Sequence, residues 1–229
     1  KAGKSVVTSN KELVAAKGCE LLKYAAQHNV NFLFEASVGG GIPIIRPISQ
    51  CLAANEIDEF AGILNGTTNF ILTKMINDNM AFEDALKLAQ DNGYAERDPS
   101  ADILGFDACR KVCILASLCF GKHVYPEQVH TEGITEITLE DVDYAKDWGG
   151  VIKLLGRARK SEDGKHIYAI VSPAFVNHHS QLASVDDVFN AILVRGDAIG
   201  DVVFYGRGAG KLPTASAVVG DVIDCARHE

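Results

Sequence analysis

The chain has 229 residues, 47% of them hydrophobic and 23% charged, with a formal net charge of -8. That length supports one large domain or two modest ones with proper cores, and the composition excludes a disordered chain. The acidic balance argues against nucleic acid or an anionic membrane as a partner, because the short basic cluster of Arg157, Arg159 and Lys160 does not outweigh it.

The longest apolar runs, such as 112–120, fall far short of the ~20 residues of a membrane span. No signal peptide is visible behind Lys1-Ala2-Gly3-Lys4. The six cysteines lack CxxC spacing, so they read as small core residues in a reducing compartment, and the cytoplasm is expected.

In chain order, Val6-Val7-Thr8 reads as a strand end, and Ser9 with Glu12 three residues later as a capping box for a helix to about His28. Residues 30–36 read as a strand apolar on both faces, so the opening rhythm is a βα unit of a parallel sheet. A short helix is expected at 43–53, a strand at 57–64, and helices at 68–77 and 82–90, the last closed by Asn92-Gly93. A helix enters near Asp102 or Ile103. After Gly121 the pattern turns strand-rich: 151–160, 167–176, and 190–194 paired with 201–205. Helices followed by hairpins indicate an α+β class with a mixed, largely antiparallel sheet covered by helices.

Near the end, the strand at 201–205, the glycine loop 206–210 and a helix opened by Pro213 and Thr214 form a strand–loop–helix anion site in outline. Spacing alone fits a plain tight turn equally well. Tyr205 and Leu212 break the Walker pattern, and G-x-G-x-x-G is not met.

The richest stretch is GYAERDPSADILGFDACRK at 93–111. Asp107 and Lys111 stand at i and i+4 on a helix whose remainder is apolar, so they share a face and enter a partly buried setting. Burial disfavours a lysine ammonium and a close carboxylate favours it, which suits a proton shuttle. The same spacing also fits a surface ion pair worth ~0.3–0.5 kcal/mol, and Glu96, Asp98 and Asp102 fit a solvated, helix-capping loop.

This run is similar to the signature of homoserine dehydrogenase, as are TSNKELVA at 8–15, EASVGGGIPII at 35–45, GILNGTTNFIL at 62–72 and YGRGAGKLPTASAVVGD at 205–221. The resemblance implies NAD(P)-linked interconversion of aspartate semialdehyde and homoserine, on the route to threonine and methionine. It makes Lys111 the proton donor to the aldehyde oxygen, Asp107 its orienting and substrate-contacting partner, and Glu96 the holder of the substrate's amino group. Asp102 and Tyr94 join them in binding substrate. Lys11, Gly93 and Gly208 fall to the cofactor, NADP or NAD. A structural monovalent cation, Na+ or K+, would sit in the loop of Glu35, Val38, Gly40 and Ile42, held mainly by backbone carbonyls.

The resemblance also divides the chain. Residues 35–205 are expected to form the substrate-binding and catalytic domain, and 1–34 with 206–229 a remnant of a Rossmann-type nucleotide-binding domain. Most of that second domain, with its glycine fingerprint, is missing from the sequence, so a fragment that binds cofactor poorly is expected. A homodimer through strands such as 167–176 is expected too. One alternative is a related enzyme such as aspartate semialdehyde dehydrogenase, which needs a nucleophilic cysteine. The other is a non-enzymatic dimerisation or amino-acid-sensing module on the same fold.

Overall fold

The computed structural model describes residues 2–227; Lys1, His228 and Glu229, at the ends of the expected nucleotide-binding parts, lie outside the described residues. Strands β1 (Val6–Val7) and β2 (Phe32–Leu33) pair in parallel, Val6 opposite Phe32, with helix α1 (Lys11–Gln27) as the crossover between them. Two details correct the expectation. The cap of α1 is Asn10, whose side chain accepts the Leu13 N–H at 2.9 Å, not Ser9. The expected strand at 30–36 pairs only over Phe32–Leu33, because the backbone then winds into a 3₁₀ turn at Glu35–Ser37.

That turn exists because the Glu35 carboxylate is used inside the protein. It accepts the N–H groups of Ile44 (2.6 Å), Ile45 (2.9 Å) and Arg46 (2.9 Å), drawing residues 35–46 into a closed loop. The expected helix at 43–53 is accordingly wide and short, a π-type turn over Pro47–Cys51.

The main sheet has six strands in the order β4-β6-β5-β3-β7-β8. They are β3 (Ile57–Ile63), β4 (His130–Thr131), β5 (Gly150–Lys160), β6 (Ile167–Asn177), β7 (Phe189–Gly196) and β8 (Gly200–Arg207). All pair antiparallel except β4 with β6. The mixed, mainly antiparallel sheet flanked by helices is the fold class the pattern indicated. Helices α2 (Gly66–Asp78) and α5 (Phe106–Phe120) bury apolar residues such as Phe70, Leu72, Val112 and Leu115 against strand residues Phe60, Leu154 and Ile192. Helix α3 (Phe82–Asp91) follows α2, and Gly93 takes φ +72 just past its end, the left-handed stop the Asn92-Gly93 pair indicated. The chain's second cluster forms where Leu182, Ala183 and Val185 of the β6–β7 connection pack on Ile63, Leu155, Ala191 and Leu193.

Three boundaries differ from the pattern. The helix expected from 102 is split into α4 (Ser100–Ile103) and α5, because Gly105 takes φ +84, where a Cβ would press within 3.3 Å of Thr131, Glu132 and Val171. A further helix, α6 (Leu139–Asp147), stands in the segment read as strand-rich; Thr138 and Asp141 cap it reciprocally. The final helix α7 opens at Lys211 rather than at Pro213.

One buried cation holds the β6–β7 connection in place. Lys153 of β5 is 0% exposed, and its ammonium donates to the Val185 carbonyl at 2.6 Å and to Asp186 Oδ1 at 3.3 Å. Asn69 Nδ2 of α2 reaches the same connection at Val185 O, Asp187 O and Phe189 O, and the Asp187 N–H donates to Thr73 Oγ1. Asp187 is thereby held at φ +54, and Val188 beside it is set against Gly66.

Candidate functional site

The site is assembled at the carboxyl end of β3, where the chain leaves the sheet through Leu64 and Asn65 to start α2. Asn65 caps α2, its Oδ1 accepting the Thr68 N–H at 2.9 Å. Its Nδ2 faces the other way and donates to two carboxylates, Asp102 Oδ1 at 2.7 Å and Asp107 Oδ2 at 2.9 Å. One asparagine thus ties α2, α4 and α5 together.

Asp107 lies in the first turn of α5, where the helix dipole favours a negative charge. Lys111 follows one turn later, and its long side chain runs back toward the helix start, as helical side chains do. Its Nζ donates to Asp107 Oδ2 at 2.7 Å and to the Leu64 carbonyl at 2.7 Å. Both residues are buried, at 4% and 7% exposure, so the surface ion pair that spacing allowed is not what forms. Lys11, from the first turn of α1, pairs with Asp107 Oδ1. Burial alone would raise the Asp107 carboxyl, but the ammoniums of Lys111 and Lys11 outweigh it and hold the group well below the usual carboxylate range. Asp102 has no such partner beyond Asn65; burial pushes its carboxyl upward.

These groups line a cleft of about 410 Å³, with Gly66, Thr67, Gly93, Tyr94, Glu96 and Gly208 among its walls. Thr67 Oγ1 donates to the Tyr94 carbonyl at 2.7 Å, fastening the acidic loop to α2. The Tyr94 ring packs edge-on against Phe70, centroids 5.0 Å apart. Lys11, Gly93, Tyr94, Glu96, Asp102, Asp107, Lys111 and Gly208 therefore come together. Glu35, Val38, Gly40 and Ile42 do not line the cleft. They lie behind its floor, where a Cβ on Gly40 (φ +57) would sit 2.3 Å from the Gly208 carbonyl. Among the described residues, no cysteine lines the cleft, which leaves the nucleophilic-thiol alternative without a group to perform it.

Sequence reasoning missed Asn65, Thr67, Val188 and Arg207 as members of this cleft. The Asn-Gly-Thr-Thr run after a strand signalled a helix cap, but nothing in it signalled that the cap's amide would also serve two distant acids.

Fold and cleft together define an α+β domain in which a buried lysine, hydrogen-bonded to a carboxylate, lines a polar cavity. The chain belongs to the homoserine dehydrogenase family, whose model matches residues 43–223. It is 50% identical over 223 residues to the homoserine dehydrogenase of Synechocystis, covering 96% of this chain and 52% of that protein. Against the Bacillus subtilis enzyme it is 47% identical over 220 residues, 96% of this chain and 50% of the relative. The crystal structure of a homoserine dehydrogenase from Thiobacillus denitrificans superposes with a TM-score of 0.94 at 49% identity, over 97% of this chain and 51% of that one. A hyperthermophilic archaeal homoserine dehydrogenase in complex with NADPH gives a TM-score of 0.85 at 32% identity, over 98% and 65%. The chain spans about half the length of the curated relatives it matches.

Proposed function

We propose that this chain carries the substrate site for NAD(P)-dependent interconversion of L-homoserine and L-aspartate 4-semialdehyde, a step toward threonine and methionine. One observation carries the reading. A lysine ammonium has three N–H donors; Asp107 and Leu64 O take two of those of Lys111, a residue that lines the cleft, and one donor is left for a ligand.

A bound dinucleotide supplies the hydride that reaches the aldehyde carbon. Lys111 donates a hydrogen bond to the oxygen on which negative charge grows and then transfers its proton there. Asp107 aims that lysine, and Lys11 shares the same carboxylate. Glu96 receives the substrate's ammonium, with Tyr94 and Asp102 completing the substrate pocket. Gly93 and Gly208 fit the flat nicotinamide end. A Cβ at Gly93 would meet nothing within 4 Å, so its backbone faces open cleft that any side chain would fill. The residues given to the cofactor reach only this end, so binding of the dinucleotide by this chain is weak.

A structural monovalent cation, Na+ or K+, fits the loop behind the cleft. Among the described residues, the carbonyls of Val38, Gly40 and Ile42 accept no hydrogen bond, and they are the hard oxygen donors such an ion prefers. Residues 35–205 form the catalytic domain, with 1–34 and 206–229 belonging to the nucleotide-binding part. A second copy docks along β6, where Tyr168 and Ile170 stand exposed on one face. The six free cysteines suit the reducing cytoplasm, and no helix of the described residues is long and apolar enough to cross a membrane.

The test is titration calorimetry of L-homoserine into the chain with and without NADPH, followed by turnover of aspartate semialdehyde by wild type and Lys111→Met. Homoserine affinity should stay within a few fold in the variant, while turnover falls by ~10²-fold or more. No heat from homoserine, or a variant that turns over like wild type, refutes the reading.

A further inference from the structure

Two charged side chains of the cleft take no part in its internal polar contacts. Lys11 and Lys111 both contact Asp107, and Asp102 is engaged by Asn65. Among the described residues, the carboxylate of Glu96 and the guanidinium of Arg207 have no ion pair or hydrogen bond, although both border the cavity. Glu96 has its role in the reading above. Arg207 has none.

Arg207 is nevertheless built in. It ends β8 opposite Phe189 of β7, and its carbonyl accepts the Gly41 N–H at 3.1 Å, so the backbone is held from both sides. Its guanidinium carbon lies 5.1 Å over the Phe189 ring, and that ring stacks on Tyr205 with centroids 5.3 Å apart and planes 10° apart. Stacking engages the face of a guanidinium and leaves the five in-plane N–H donors free. Donors in that fork match two oxygens of one anion. A pre-positioned, unpaired fork lining a cavity whose two lysines already contact a carboxylate is a binding element for an oxyanion.

We propose that Arg207 anchors an oxyanion of the ligand in this cleft, either the carboxylate of the amino acid or a phosphate of the dinucleotide; this rests on the dehydrogenase reading above. In the first case Glu96 and Arg207 together recognise a zwitterion by its two charges. In the second, Arg207 takes the cofactor's backbone just beyond the glycines of residues 208–210.

The experiment uses the whole chain and two pairs of probes: L-homoserine against 3-aminopropan-1-ol, which lacks the carboxylate, and NADPH against reduced nicotinamide riboside, which lacks phosphate. Each is titrated into wild type, Arg207→Met and Arg207→Lys. Arg207→Met keeps an apolar stem over Phe189 on an exposed position, so the fold should be retained, which the thermal midpoint checks. The expected result is a loss of about tenfold or more in affinity for the oxyanion-bearing member of one pair, with its preference over the oxyanion-free analogue erased. Arg207→Lys should recover part of the affinity. A loss confined to homoserine assigns the carboxylate, and one confined to NADPH assigns the phosphate. Unchanged affinities for both pairs, with Glu96→Gln still weakening homoserine, overturn the anchor and leave the dehydrogenase reading standing. A wild-type chain that takes up neither homoserine nor NADPH overturns both.

Discussion

Replacing Asp107 by Asn keeps the side chain's shape and removes one charge from the centre of the site. The carboxylate is 4% exposed and holds the ammoniums of Lys11 and Lys111 and the amide of Asn65. The substitution leaves Lys111 buried beside a second ammonium with only neutral acceptors, the Leu64 carbonyl and the new amide oxygen, to receive it. Removing one partner of a buried pair costs about 3–5 kcal/mol, which for a domain of this size lowers the thermal midpoint by roughly 6–20 °C. The sign with pH follows from the depressed carboxyl. Asp107 titrates below its ordinary 3.8 when folded, because the two lysines outweigh its burial. Its contribution is therefore complete above that value and is lost only as pH falls from 3.8 toward the folded value. Urea unfolding of wild type and variant at pH 7 and pH 5 should show the deficit at both, with nearly the same size. A deficit under about 1 kcal/mol at pH 7 would mean that the ammoniums are hydrated and that the buried triad does not exist.

Other consequences can be checked by the same denaturation experiments and by hydrogen exchange. Gly40→Ala places a Cβ 2.3 Å from the Gly208 carbonyl at a φ of +57, and unfolding should show a loss of at least about 2 kcal/mol. Glu35→Gln keeps one acceptor oxygen where three N–H groups are bound; a loss of about 1–3 kcal/mol is expected. In Lys153→Met the amides of 185–189 should exchange faster while those of α5 keep their protection, because the lysine supplies the hydrogen bonds that hold that connection from the β5 side. Uniform loss of protection across the chain would contradict that local role.

Asp107 and Lys111 were legible because a 3.6-residue period puts i and i+4 on one face, and the apolar residues around them signalled burial. The strands of the antiparallel sheet were legible for a similar reason, since apolar runs between glycine turns leave few other choices. Asn65 was not. Its two carboxylate partners lie 37 and 42 residues away, brought near by helix packing that no local pattern encodes. Ser9 and Asn10 are both good caps, and only the hydrogen bond to Leu13 distinguishes them. Residues 30–36 carry apolar side chains that suit a strand, yet Glu35 binds three amides further along and bends the backbone away. Helix α6 buries just Val142 and Ala145 beneath an acidic face, so its apolar stripe was too thin to stand out from the strands around it.

The Glu35 N–H donates to Asp221 Oδ2 across 186 residues of chain, and the other oxygen of Asp221 takes the Arg46 guanidinium at 2.6 Å. An early loop is thus latched by a late helix. During synthesis, residues 35–46 can emerge and begin to collapse, but their final shape waits for α7 to arrive. Contacts of such long sequence separation form late, so the closing of the 35–46 loop should be the last step a refolding chain completes, lagging behind the burial of the sheet.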